Sequence, residues 1–387
     1  MIPLAVPNLI GNEKKYLNRC INTTFVSSVG EFVNRIEEMT ADKCGAKYGV
    51  ATSSGTTGLH LALVGCGVEP GDLVIIPTFT FIATANAVAH CGAIPWLMDV
   101  SEDSWTLDVV QLEMELKVKT EWKDGKLLHK VNRRRVGAIM PVYTLGNVPN
   151  MDRIREISQL YNLPLIADAA AALGAKYKQR DIGELADFTV FSFNGNKTVT
   201  AGGGGVVVGN SETLMKRLKH LSTTARITTE YDHDMVGFNY RMTNIQAAVG
   251  CAQLERLDEF VDKKQEIRTL YNRAFTKINN VSLFPVPQDV ESACWFSGIV
   301  LKQGGLDDIR EMCQKLREKE IEARSFWKPI HLQTPYKNAE RADSLEISTN
   351  VWNRILTLPC STNIKEDELR YVIEEVKELL RLRENKL

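Results

Sequence analysis

No run of apolar residues in this 387-residue chain approaches the roughly 18 needed to span a bilayer as a helix. The amino terminus, MIPLAVPNLIGNEKKY, has no basic segment leading into an apolar one, so no secretion signal is expected. Charge of either sign is not in excess. The 47 Lys and Arg residues against 48 Asp and Glu leave a formal net charge of −1, which argues against a surface made for nucleic acid or anionic membrane. The eight cysteines stand singly, with no CxxC and no Cys/His cluster, which disfavours a disulfide framework or a zinc site. No internal repeat or low-complexity tract is present. What remains is a cytoplasmic, reduced, metal-free globular protein large enough for two domains.

Short apolar runs alternate with helical patterns through the first two thirds of the chain. Strands are expected at 73–76, 94–99, 136–142, 164–168, 188–193 and 205–208, with helices at 83–90 and 151–161. Strands separated by helices of that length give an α/β fold with a mostly parallel sheet covered by helices. From about residue 244 the texture changes to long charged amphipathic helices, at 245–272, 306–319 and 365–383, around a few strands such as 297–301. A large α/β domain over 1–249 and a smaller α+β domain over 250–387 are expected. The charged stretch 115–135 reads as a solvated loop or hairpin.

Three features carry chemistry. Ala51-Thr52-Ser53-Ser54-Gly55-Thr56-Thr57-Gly58 runs into an apolar helix, where free amides, hydroxyls and the positive end of the helix dipole suit a phosphate group. Asp168 ends the strand Pro164–Asp168, the end at which α/β folds place ligands, although a helix N-cap would look the same. Lys197 sits where the strand around Phe191 and Phe193 meets the tract Gly202–Gly205, a close-approach backbone. An amine, a buried acid and a phosphate cradle together suggest pyridoxal phosphate. An aromatic ring over its face could come from Phe79 or Phe81.

With those motifs in that order, the chain resembles the DegT, DnrJ, EryC1 and StrS family of nucleotide-sugar aminotransferases. It is most similar to the branch acting in bacillosamine and legionaminic acid pathways. The resemblance also rests on Phe25–Phe32, Pro77–Asn86, Gly237-Phe238-Asn239-Tyr240-Arg241-Met242 and Arg324–His331. It implies a type I pyridoxal-phosphate transferase fold with a seven-stranded sheet. Lys197 is implied as the Schiff-base lysine and proton shuttle, Asp168 as the partner of the pyridine nitrogen, and Phe81 as the ring's cover. Ser192, Thr56 and Thr57 are implied around the phosphate. Asn239 is implied to reach the phosphate of a partner subunit, giving a homodimer with shared sites.

For the sugar nucleotide the resemblance points to Ser28, Asn194, Arg226, Trp295, Arg324 and His331. Trp295 would wall the sugar pocket and Arg226 would approach the pyrophosphate. The implied reaction takes the amine of L-glutamate to the 4-keto carbon of a nucleotide-linked 4-keto-6-deoxy sugar, of the UDP-N-acetylglucosamine type. A sugar dehydratase and a non-catalytic regulator are the alternatives. Two positions depart from the family pattern: Ala171, where Gln, Glu or His is usual, and Tyr143, where His is common.

Overall fold

The computed structural model describes residues 1–384. Seven strands stand side by side in the order Tyr48–Thr52, Gly205–Gly209, Phe188–Ser192, Ile166–Asp168, Val136–Ile139, Leu73–Pro77 and Ile94–Met98. Gly205–Gly209 runs against both of its neighbours and the other six run parallel. Two single parallel bridges, Ile139 to Leu165 and Val142 to Asp168, join the two halves of this sheet. A two-residue strand from far down the chain, Glu340–Arg341, extends the edge beside Ile94–Met98.

The sheet is buried on both faces, which is why its strands read as unbroken apolar runs. Leu73 and Ile75 pack into one core while Val74 and Ile76 pack into another, and Val206 and Val208 are separated from Val207 in the same way. Gly55–Gly65, Ile82–His90, Met151–Leu160 and Glu212–Ser222 are among the helices covering it. The C-terminal part is a separate antiparallel sheet of Val281–Leu283, Ser297–Leu301, Ile355–Leu358 and Arg324–Ser325. Its helices are Leu257–Phe275, Leu306–Glu318 and Glu366–Glu384. The change of core falls inside one helix: Leu257, Phe260 and Val261 pack with the large sheet, whereas Ile267, Tyr271 and Phe275 pack with the C-terminal sheet.

Several expected boundaries move. The single helix at 245–272 is two, Asn244–Leu254 and Leu257–Phe275, broken where Glu255 turns to Asn12, Tyr16 and Arg35. The first of these starts at a capping box between Thr243 and Gln246. The strand expected at 136–142 ends at Ile139, ahead of Pro141, which has no N–H for a ladder. In the charged stretch, residues 115–119 finish a helix, Val109–Lys119, capped by the Asp108 carboxylate on the amides of Val110 and Gln111. A hairpin follows, Thr120–Lys123 with Lys126–His129, turning at Asp124-Gly125 with φ of +50° and +73°. Strand Tyr48–Thr52 and helices Glu13–Thr23 and Glu31–Lys43 were not among the expected elements.

Among the described residues no helix is long and apolar enough to cross a membrane, and no group of His, Cys, Asp and Glu could hold a metal ion. All eight cysteines are unpaired.

Candidate active site

The carboxyl ends of Leu73–Pro77, Ile166–Asp168 and Phe188–Ser192 open onto one cavity of about 550 Å³, walled on the far side by Trp295, Phe296 and Arg324–Trp327. Asp168 lies at its floor, 5% exposed. Its Oδ2 accepts the Thr84 hydroxyl at 2.7 Å and its Oδ1 accepts the Ala170 amide at 3.2 Å. Burial pushes the carboxyl above its usual range, and the Thr84 hydroxyl, the Ala170 amide and the Lys197 charge hold it down in part.

Lys197 stands on a tight turn. Its amide donates to the Asn194 carbonyl at 3.0 Å, while Ala201 and Thr200 bond back to the Phe193 carbonyl at 2.9 and 3.1 Å. Gly202 and Gly204 take φ of +74° and +97°, which few side chains tolerate, so the chain can reverse here and re-enter the sheet. A Cβ on Gly205 would lie 2.8 Å from both the Gly55 amide nitrogen and the Phe191 carbonyl, so glycine there lets the helix start lie against the strand. Lys197 as a whole is half-buried and lines the cavity. Burial lowers its amine to about 8, with Asp168 opposing. Its Nζ lies 3.6 Å from the centre of the Trp295 ring.

Helix Gly55–Gly65 points its first turn at the same cavity. Ser54, Gly55 and Thr56 line it, and the first amides of a helix have no carbonyl within the helix to receive them. Ser192, at the end of its strand, lines the same wall. Thr57 does not. Its hydroxyl is taken up in the helix cap, accepting the Ser54 amide at 3.0 Å, while its own amide donates to Ser54 Oγ at 3.1 Å.

Of the two candidate rings, Phe79 is wholly buried against Trp105 and Phe326. Phe81 is 54% exposed, lines the cavity and sits 5.8 Å from the Trp327 ring. Asn194 and Trp295 line the cavity, and so does Arg324, held at the rim by Glu322. Ala171 also lines it and offers no polar group. Tyr143 is fully buried, its hydroxyl without a hydrogen-bond partner among the described residues, and burial pushes that phenol well up.

Besides Thr57, four expected residues lie outside this chain's own cavity. His331 is a correction to the sequence reading. It is buried between Thr78 and Thr349, with Nδ1 2.8 Å from one hydroxyl and Nε2 3.1 Å from the other, so both ring nitrogens are already engaged. Ser28 is half-buried in a loop pinned by Asn244, whose amide donates to the Ser27 carbonyl at 2.6 Å. Arg226 is exposed, over the Tyr231 ring at 5.3 Å. Asn239 is exposed on a segment bridged to Thr223.

Thr80 and Thr84, one helical turn apart, escaped the sequence reading although they lie in the quoted Pro77–Asn86 stretch. Their hydroxyls are 2.8 Å apart. An i, i+4 pair of threonines at a helix start was the available signal. Thr144, fully buried with an unpartnered hydroxyl in the cavity wall, gave none.

These residues fit pyridoxal phosphate. Asp168 has one donor on each oxygen and so keeps acceptor capacity for a ring N–H. The Lys197 amine makes no hydrogen bond among the described residues, and the amides of Gly55 and Thr56 at the helix start are open to a phosphate.

A model of the DegT/DnrJ/EryC1/StrS aminotransferase family matches residues 7–377. A GDP-perosamine synthase of Caulobacter vibrioides is 36% identical over 381 residues, covering 98% of each chain. A UDP-4-amino-4,6-dideoxy-N-acetyl-beta-L-altrosamine transaminase of Campylobacter jejuni is 32% identical over 358 residues, 90% of this chain and 91% of that one. The solved structure of a DegT DnrJ EryC1 StrS aminotransferase from Brucella abortus superposes with a TM-score of 0.86 at 28% identity, covering 95% of each chain.

Proposed function

Because this chain belongs to the DegT/DnrJ/EryC1/StrS family of pyridoxal-phosphate-dependent aminotransferases, we propose that it moves the amino group of L-glutamate to the 4-keto carbon of a nucleotide-linked 6-deoxy sugar. Glutamate leaves as 2-oxoglutarate and the keto sugar leaves as the 4-amino sugar. The observation that carries the reading is the Lys197 amine and the Asp168 carboxylate opening onto one cavity with the start of helix Gly55–Gly65. When bound, pyridoxal phosphate supplies an aldehyde that bonds amines and a ring that takes up the electrons of a broken C–H bond.

The chain's own residues do the rest. Gly55, Thr56 and Ser192 would hold the phosphate end, Asp168 would accept a hydrogen bond from the pyridine nitrogen, and Phe81 would cover the ring. A lysine near 8 has a useful neutral fraction at neutral pH, so Lys197 Nζ can take a proton from one carbon and return it to another. The presence of Lys197 favours transamination over sugar dehydration, and its pairing with Asp168 speaks against a non-catalytic regulator.

The relatives named GDP-perosamine synthase favour a guanosine-diphosphate-linked sugar over the UDP-linked one expected from the sequence. We place the enzyme in the cytoplasm on its eight unpaired cysteines, with the smaller domain beginning near residue 250. A homodimer with shared sites accounts for Asn239, Ser28 and Arg226 lying outside their own cavity. Apolar Phe25, Val29 and Val236 stand exposed on the same segments, as surfaces awaiting a partner do.

The test is to load the enzyme with L-glutamate, measure 2-oxoglutarate, and then offer GDP- and UDP-linked 4-keto-6-deoxy sugars with mass-spectrometric detection. Amine gain on the GDP-linked sugar is the expected result. No amine on either sugar would overturn the reading.

A further inference from the structure

Trp295 is tied down at every polar atom it has. Its amide donates to the Leu145 carbonyl at 3.0 Å. Its carbonyl accepts the Lys264 amine at 3.0 Å, and Lys264 also donates to the Cys360 carbonyl at 2.6 Å. Its indole Nε1 donates to the Asn196 carbonyl at 2.7 Å. Asn196 immediately precedes Lys197, and the Lys197 amine rests over the face of the same ring at 3.6 Å. A single side chain from the C-terminal part therefore holds both the backbone before the lysine and the tip of the lysine itself.

Lys264 is 3% exposed, and among the described residues its amine meets two carbonyls and a thiol rather than a carboxylate. Burying an ammonium on neutral dipoles is costly unless they are well placed, so the Trp295 carbonyl is fixed by a demanding anchor. Phe296 and Trp327 pack on the indole with ring centres 4.1 and 5.6 Å away. The ring cannot tilt freely, and a cation over an indole face is held electrostatically.

We propose that Trp295 is a positioning residue for Lys197: the indole face is the resting place of the free amine, and the Nε1–H bond to Asn196 fixes the pivot on which the amine swings into the cavity. The proposal rests on Lys197 being the lysine that bonds the cofactor. It differs from the sugar-wall role expected from the sequence, because it acts through the lysine and not through substrate. A wall residue would have no need to hold the loop that precedes the lysine.

The test uses the full-length chain stripped of cofactor. Pyridoxal phosphate is added, its attachment is fixed by borohydride at timed intervals, and the labelled peptide is identified by mass spectrometry. Rates are compared at the alkaline plateau, where the amine is neutral in every variant and the rate reports position rather than charge. Binding of pyridoxamine phosphate, which cannot bond a lysine, is measured alongside.

Trp295→Leu is expected to slow attachment at Lys197 at least tenfold, and Trp295→Phe, which keeps a ring and loses the Nε1–H, several-fold. Pyridoxamine phosphate affinity should stay within twofold in both, which also reports a folded site. If Trp295→Leu does not fold, Trp295→Phe carries the test. An unchanged attachment rate, or an equal loss of attachment and of pyridoxamine phosphate binding, would overturn the proposal. Labelling of a different lysine would instead overturn the assignment of Lys197 beneath it.

Discussion

The hydroxyl of Thr84 gives its single proton to Asp168 Oδ2 at 2.7 Å, so the 2.8 Å bond between Thr80 and Thr84 has Thr80 as its donor. The order Thr80 to Thr84 to Asp168 is thereby fixed. The Thr84 hydroxyl favours the ionised carboxylate against the burial that raises it.

That relay gives the first prediction. Thr84→Val removes a hydrogen bond to a charged group, a loss of about 1.5–3 kcal/mol, or roughly ten- to a hundred-fold in the equilibrium that keeps Asp168 ionised. The Asp168 carboxyl, followed by its infrared band in the cofactor-free protein, should titrate at higher pH in Thr84→Val and near the wild-type position in Thr84→Ser. Identical titrations in Val and wild type would show that Thr84 has no hold on the acid.

Lys197 gives the second. With the amine lowered to about 8, about one molecule in ten is neutral at pH 7, against roughly one in several thousand for an ordinary lysine. Borohydride-fixed attachment of pyridoxal phosphate should rise through pH 8 and then level, and Lys197→Ala should carry no fixed label and almost no turnover. A rate still climbing at pH 10 would mean that burial does not depress this amine.

The shared-site proposal gives the third. If Asn239 reaches the partner's phosphate, its loss removes one hydrogen bond to a charged group, about 1.5–3 kcal/mol or ten- to a hundred-fold in cofactor affinity. In a mixed dimer of Asn239→Ala with Lys197→Ala, one site then carries both defects and the other neither. Half of the wild-type activity should survive at ordinary cofactor concentration. Survival only at much higher cofactor concentration would place Asn239 in its own chain's site.

His331 gives the fourth. Burial and nearby Arg341 lower its imidazole, with Asp99 opposing, so the folded protein holds it neutral below its ordinary value. The stability tied to this neutral ring is complete above about pH 6.5 and is lost as pH falls from there through the depressed value. His331→Ala leaves the buried Thr78 hydroxyl without its ring partner, at about 1–3 kcal/mol, whereas Thr349 keeps its bond to the Leu345 carbonyl. Urea unfolding should show that loss at pH 7.5 and a smaller one at pH 5, with kcat/KM of the folded enzyme little changed. A large loss of kcat/KM with normal stability would return His331 to the active site.

The sequence by itself determined the layered sheet, because strands buried on both faces must be apolar at every position, and 73–76 and 205–208 are. It also determined the chemistry of the cavity, because an acid ending a buried strand and a lysine beside Gly202–Gly205 are local patterns. Tertiary structure decided which neighbours in the chain face the site. Phe79 and Phe81 are two residues apart, yet one fills the C-terminal core and the other lines the cavity. Thr56 lines the cavity while Thr57 spends its hydroxyl on the helix cap. His331 and Trp295 were equally open as substrate residues. Only the packing of the C-terminal part placed one between Thr78 and Thr349 and the other against Lys197. The contact of His331 with Thr78 and that of Trp295 with Asn196 each span more than 90 residues, and no local spacing encodes which of two polar or aromatic side chains a distant hydroxyl or amine will meet.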